Sequence, residues 1–154
     1  MANPQISWMN ETNTDSIKNW DIGTVDAGSQ SSSKTFLIWN NRGGSTAVKN
    51  AETCTITTKD IAGGDTGDLV TEKWIKVRVD TMSEIGFTGV GGTATRAVKA
   101  GGSAPAGVIS GAINDGVMEN SPSNFAKVTA YAIPSVTATA GKLDFLLRLS
   151  YTFQ

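Results

Sequence analysis

The chain has 154 residues, 39% of them hydrophobic and 18% charged, with 13 basic and 14 acidic side chains and a formal charge of −1. That length suits a single core, which buries roughly 68–70% of the unfolded surface, and the composition matches neither a charge-rich disordered tail nor a lipid-dissolved chain. The near-neutral balance, with no cluster of Lys or Arg, argues against nucleic acid as a partner, because duplex binding draws its strength from neutralised phosphates.

From Met1 to Asn13 the chain is polar and lacks the charged-then-apolar pattern of a signal peptide; no apolar run approaches a membrane span. Neither a membrane partner nor a lipid anchor is indicated, and the product is expected in the cytoplasm where it is made. Gln5 to Met9 and Asp21 to Val25 read as short strands. Trp8 and Trp20 sit among Asn, Asp and Thr, where packing and interface are equally open readings. Lys34 to Asn40 is a stronger strand, closed by the turn residues Asn40-Asn41-Arg42-Gly43-Gly44. Thr53 to Thr58 and Lys73 to Asp80 follow, and the tryptophans within strong runs, Trp39 in Lys34 to Asn40 and Trp74 in Lys73 to Asp80, are expected in the core. Cys54 is the sole cysteine, so no intrachain disulfide forms. Its alternation with Ile56 marks it as a small buried hydrophobe in preference to a reactive thiol.

The segment from Gly86 to Ser123 is dense in Gly, Ala and Ser, and buries little by itself. It reads either as a floppy inter-strand excursion or as an extended arm ordered against a neighbouring subunit, and its small side chains favour the arm. Thr93 to Lys99 and Val108 to Ile113 are short strand candidates inside it. Phe87, Val108, Ile109 and Ile113 join Trp8 and Trp20 as interface candidates.

Phe125 to Ala132 reads as a strand stopped by Pro134, and Leu143 to Phe153 alternates apolar and mixed residues with period two. The face carrying Leu143, Phe145, Leu147, Leu149, Tyr151 and Phe153 is expected to be buried. The connection from Ile133 to Lys142, with Pro134 and Gly141, suggests a hairpin between these last two strands. No helical periodicity occurs, so the fold class is all-β, a sandwich or barrel.

Little here points to chemistry. The chain has no histidine, which removes the commonest general base and most zinc sites. No pair of acids is placed to split its pKa values. Gly86-Phe-Thr-Gly-Val-Gly-Gly and Lys99-Ala-Gly-Gly lack the order of a phosphate loop and open no helix, so they read as turns. Asp60, Asp65 and Asp68 do not match calcium-loop spacing and read as a solvated connection. No catalytic residue, metal or cofactor is assigned.

Asn19-Trp20-Asp21-Ile22-Gly23-Thr24-Val25-Asp26-Ala27-Gly28, followed by Thr35-Phe36-Leu37-Ile38-Trp39-Asn40-Asn41, resembles the opening of bacterial and viral immunoglobulin-like modules. Ile133-Pro134 and the run from Ala138 to Leu149 are similar to their last hairpin. The whole chain resembles the small immunoglobulin-like virion proteins of tailed bacteriophages. That resemblance implies a single immunoglobulin-like β-sandwich domain over 1–154, with 86–123 as a Gly/Ala-rich insertion or arm. It further implies a non-enzymatic structural protein, made in the host cytoplasm and housed in the virion, with other virion proteins as partners and a homo-oligomeric or lattice-bound state. Capsid decoration is the preferred role. A tail, neck or baseplate position, or a carbohydrate or host-surface binding module, are the alternatives.

Overall fold

Runs of β-branched and aromatic residues draw the chain into eight strands: β1 (Ile6–Asn10), β2 (Lys34–Asn40), β3 (Glu52–Asp60), β4 (Ile75–Val79), β5 (Thr88–Val90), β6 (Arg96–Ala97), β7 (Phe125–Ala132) and β8 (Phe145–Thr152). The computed structural model describes residues 1–154. Helix is confined to one turn at Asp68–Thr71 and to 3-10 turns at Asp80–Met82, Met118–Asn120 and Pro122–Asn124. None of these is long and apolar enough to cross a membrane.

The strands form two antiparallel sheets, one in the order β1-β2-β7-β4-β5 and the other β6-β3-β8. Alternation turns Phe36 and Ile38 of β2, Ile75, Val77 and Val79 of β4, and Val128 and Ala130 of β7 inward, against Cys54 and Ile56 of β3. All of these are fully buried, giving an all-β, sandwich-like architecture with one continuous core. The opposite face of β2 carries Leu37 and Trp39. With Met9 and Phe125 they make a second, smaller cluster on the outside of the five-stranded sheet, covered by Met118.

Lys34–Asn40 and Phe125–Ala132 are strands over the residues where their patterns place them. Thr53 to Thr58 lies inside β3, Lys73 to Asp80 contains β4, and Gln5 to Met9 overlaps β1. Thr93 to Lys99 shrinks to the two residues of β6, and Asp21 to Val25 forms no strand. In Val108 to Ile113 pairing is limited to an isolated bridge between Ile109 and Ala51.

Three expectations are corrected. The last two strands are not a hairpin: β7 has both flanks taken, by β2 and β4, so the chain crosses to the other sheet, where β8 pairs with β3. The apolar face of β8 is not fully buried, because β8 is an edge strand. Phe145, Leu147, Leu149 and Tyr151 are half-buried, while Leu143 and Phe153 at its ends are 53% and 42% exposed. The segment 86–123 is not a projecting arm in this structure. Its sparse apolar residues Val90, Val98 and Ile109 are fully buried in the chain's own core, and a strand absent from the sequence reading, β5, pairs with β4.

Candidate functional site

Three ionisable groups, Cys54, Asp60 and Asp115, are held by local structure. Cys54, facing inward from β3, has its thiol pushed up to about 11 by burial, an effect opposed by a backbone hydrogen bond with Ile109 and reinforced by the charge of Glu52. It is protonated at neutral pH and has little nucleophilic character. Asp60, at the end of β3, accepts hydrogen bonds from the Thr66 hydroxyl at 2.6 Å and from the N–H groups of Gly64 at 2.8 Å, Thr66 at 3.1 Å and Ala62 at 3.0 Å. Led by the Thr66 hydroxyl, these donors hold its carboxyl down to about 2. Asp65 of the same loop accepts from Lys59 Nζ at 2.6 Å, and Asp68 opens the single helical turn. No three of the Cys, Asp and Glu side chains converge on a common point as metal ligands. Asp115 accepts from Asn120 Nδ2, the Val117 N–H and the Ser121 hydroxyl, and these bonds, Asn120 first, lower its carboxyl.

Two further charged pairs brace strand ends. Arg78 Nε donates to Asp80 at 2.6 Å, and Asp80 also accepts from the Thr129 hydroxyl. Glu84 accepts from Arg96 and, through its other oxygen, from the Val79 N–H. Neither of the two principal hollows encloses a reactive set: one is lined by Lys49, Glu52, Ser110 and Gln154 among others, and the second is wholly polar, from Asn10 to Thr12 and Ser33 to Thr35.

The interface candidates are spread over separate parts of the molecule. Trp8 meets the ring of Phe36 edge-on at 5.7 Å, and Trp20 meets Phe36 at 5.5 Å and Phe145 at 5.9 Å. Both indoles are half-buried against the core, and Trp20 spans from β2 to β8. Phe87 lies 4.5 Å from Tyr131 with the Arg78 guanidinium 4.8 Å from its ring, beside the 93% exposed Ile85. Val108 is half-buried and Ile113 is 62% exposed. Ile109 is unavailable to any partner: it is fully buried, and its N–H and C=O are both bonded to Ala51.

A group of asparagines, of which Asn40 and Asn41 were read from the sequence as turn residues, fastens the segment 86–123 to the body. Asn40, fully buried at the end of β2, accepts from the Gln5 N–H and donates to the carbonyls of Lys49 and Ile109. Asn41, in the left-handed region with φ 59°, donates to Thr46 and Gly111. Asn124 donates to Ser110 and Ala112, and Asn114 donates to Asn41 while accepting from the Gly43 N–H. The one legible trace was Asn40-Asn41 ending an apolar strand.

What the surface does offer is an open backbone edge. All backbone hydrogen bonds of β8 run to β3, and its other flank carries no strand. No protein-family model, curated protein or solved structure matches the chain.

Proposed function

We propose that this chain is a non-enzymatic structural protein of a bacteriophage virion, an immunoglobulin-like sandwich that decorates the assembled capsid and stabilises it. The observation that carries the reading is the strand order. β1-β2-β7-β4 in one sheet and β3 beside β8 in the other correspond to the A-B-E-D and C-F neighbours of an immunoglobulin domain. The likeness of Asn19–Gly28 and Thr35–Asn41 to the opening of bacterial and viral immunoglobulin-like modules supports the fold, and the location rests on the resemblance of the whole chain to small virion proteins of tailed bacteriophages. The engagement of Asp60, Asp115 and Cys54 in local structure supports a passive role. The partners are then other virion proteins. Binding the assembled lattice in preference to free subunits shifts assembly by mass action, and many identical weak contacts are multiplied by geometry.

A glycan platform at Trp8 or Trp20 finds less support, because both rings are engaged at the sandwich seam by Phe36. Quantitative mass spectrometry of purified particles tests the proposal. Hundreds of copies per particle are expected for a shell protein. A handful would move the chain to the tail, neck or baseplate, and its absence from particles would end the virion reading. Particles stripped of the protein should lose heat resistance, and unchanged resistance would remove the stabilising role.

A further inference from the structure

We infer that the open flank of β8 pairs with β8 of a second copy of this chain, joining two sandwiches through one continuous sheet about a two-fold axis at Leu149. The inference concerns the β8 edge alone and holds whichever particle the chain joins.

Unpaired N–H and C=O groups along a sheet edge are a template for another strand, and edges are ordinarily kept short, covered, or guarded by Lys, Pro, bulges or inward charges. Three of the four edges here follow that rule. β5 spans three residues and β6 two. β1 is covered by the following chain, where Met9 bridges to Ser16 and the Ile17 N–H bonds to the Trp8 carbonyl. β8 alone is long, at 8 residues, with a free flank. It has no proline, its one charge is Arg148, and its ladder with β3 is regular from Thr55↔Ser150 to Asp60↔Phe145.

The side chains also report an unfinished surface. Phe145, Leu147, Leu149 and Tyr151 face the core yet stay half-buried, and the same face continues into Leu143 and Phe153, both exposed. In an immunoglobulin sandwich the strand beside F is G, and none of the eight strands here takes that place.

The sequence of β8 is self-complementary, which makes a second copy the occupant that the edge fits. Antiparallel pairing about a two-fold sets residue against residue on the same face, so each possible axis makes a definite set of pairs. An axis at Arg148 sets guanidinium against guanidinium, which is unfavourable, and one at Leu147 sets Arg148 against Leu146. An axis at Leu149 avoids both: it pairs Leu149 with Leu149, Leu147 with Tyr151, Arg148 with Ser150 and Leu146 with Thr152, and brings exposed Phe153 to Phe145. It engages the whole strand, keeps Phe145, Leu147, Leu149 and Tyr151 of both copies on the core side, and leaves each Arg148 opposite a hydroxyl. The contact is isologous, so it closes at two copies and does not propagate into a fibre.

Ser150 provides the test, since it is exposed and its replacement leaves the folded chain's core untouched. Sedimentation equilibrium of the full chain should show a reversible monomer–dimer equilibrium. Ser150→Glu sets a carboxylate opposite Arg148 of the other copy twice per dimer and should tighten the dimer by roughly 2- to 30-fold, whereas Ser150→Arg should weaken it by a similar factor. Hydrogen exchange at residues 145–152 should slow as protein concentration rises. A wild-type chain that stays monomeric at the highest attainable concentration overturns the inference, as do Ser150 variants that shift the equilibrium in the same direction, or assemblies larger than two. Those outcomes leave particle binding intact, and absence from particles leaves the dimer intact, so the two readings fail separately.

Discussion

At the scale of single residues, several buried asparagines bond to distant backbone groups. Removing the buried Asn124 amide leaves the Ser110 carbonyl without its side-chain donor, while the Ala112 carbonyl keeps the Asn114 amide, so Asn124→Ala should lower unfolding free energy by about 1–3 kcal/mol, measured by urea denaturation. Asp60 sets a pH dependence. Its folded value, about 2, lies below the ordinary 3.8, so the unfolded chain binds the proton more readily. The resulting stability is fully present above about pH 4 and is lost as pH falls through about 2. Asp115 acts in the same direction. Denaturation midpoints between pH 5 and 2 should therefore slope less steeply in Asp60→Asn than in the wild-type chain, as an order-of-magnitude window set by those two pKa values. The burial of Trp39, Trp74 and Cys54 was legible in the sequence, because the tryptophans lie in strong strand runs and Cys54 alternates with Ile56. The asparagine contacts were not. Asn41 and Gly111 are bonded across 70 positions, and an amide that satisfies remote carbonyls looks, in one dimension, like any asparagine at a turn.

At the scale of elements, alternation revealed which residues form a strand and which face turns inward, but not which sheet the strand joins. β2 and β7 were legible to the residue, whereas the pairing of β8 with β3 was not, since any inward-facing strand could have met the pattern of Leu147 and Leu149. The Gly/Ala segment misled for a related reason. Its small residues do permit close backbone approach, but the backbone approached is the chain's own. A Cβ on Gly111 would collide with the Val48 and Lys49 carbonyl oxygens, and one on Gly91 with the Val70 carbonyl. Gly111→Ala should cost about 1–3 kcal/mol through overpacking. Gly86→Ala, which meets open space and needs no left-handed backbone, should leave the thermal midpoint unchanged or raise it.

At the scale of the whole molecule, the docking of 86–123 and the exposure of the β7–β8 connection make opposite claims on a protease. Trypsin should cut after Lys142, in the exposed run 139–144, well before Arg96 or Lys99, whose surroundings are fixed by the ion pair to Glu84 and by the buried Val98 and Ala100. Mass spectrometry of early fragments reads the order, and early cleavage at Arg96 would mean that the segment detaches. The pairing pattern also bears on how the chain acquires its shape. Thr35 bonds to Thr129 across 94 positions and Thr152 to the Glu52 carbonyl across 100, so the central ladders join the early part of the chain to the late part. Such topologies close costly loops before any contact rewards them, and they fold in milliseconds to seconds where local ones take microseconds. On the ribosome, β2 and β3 emerge long before β7 and β8, and each must wait with its hydrogen-bonding edge unmet. The nascent chain is thus at its stickiest while still tethered, and its yield in cells should depend on how fast translation delivers the final strands.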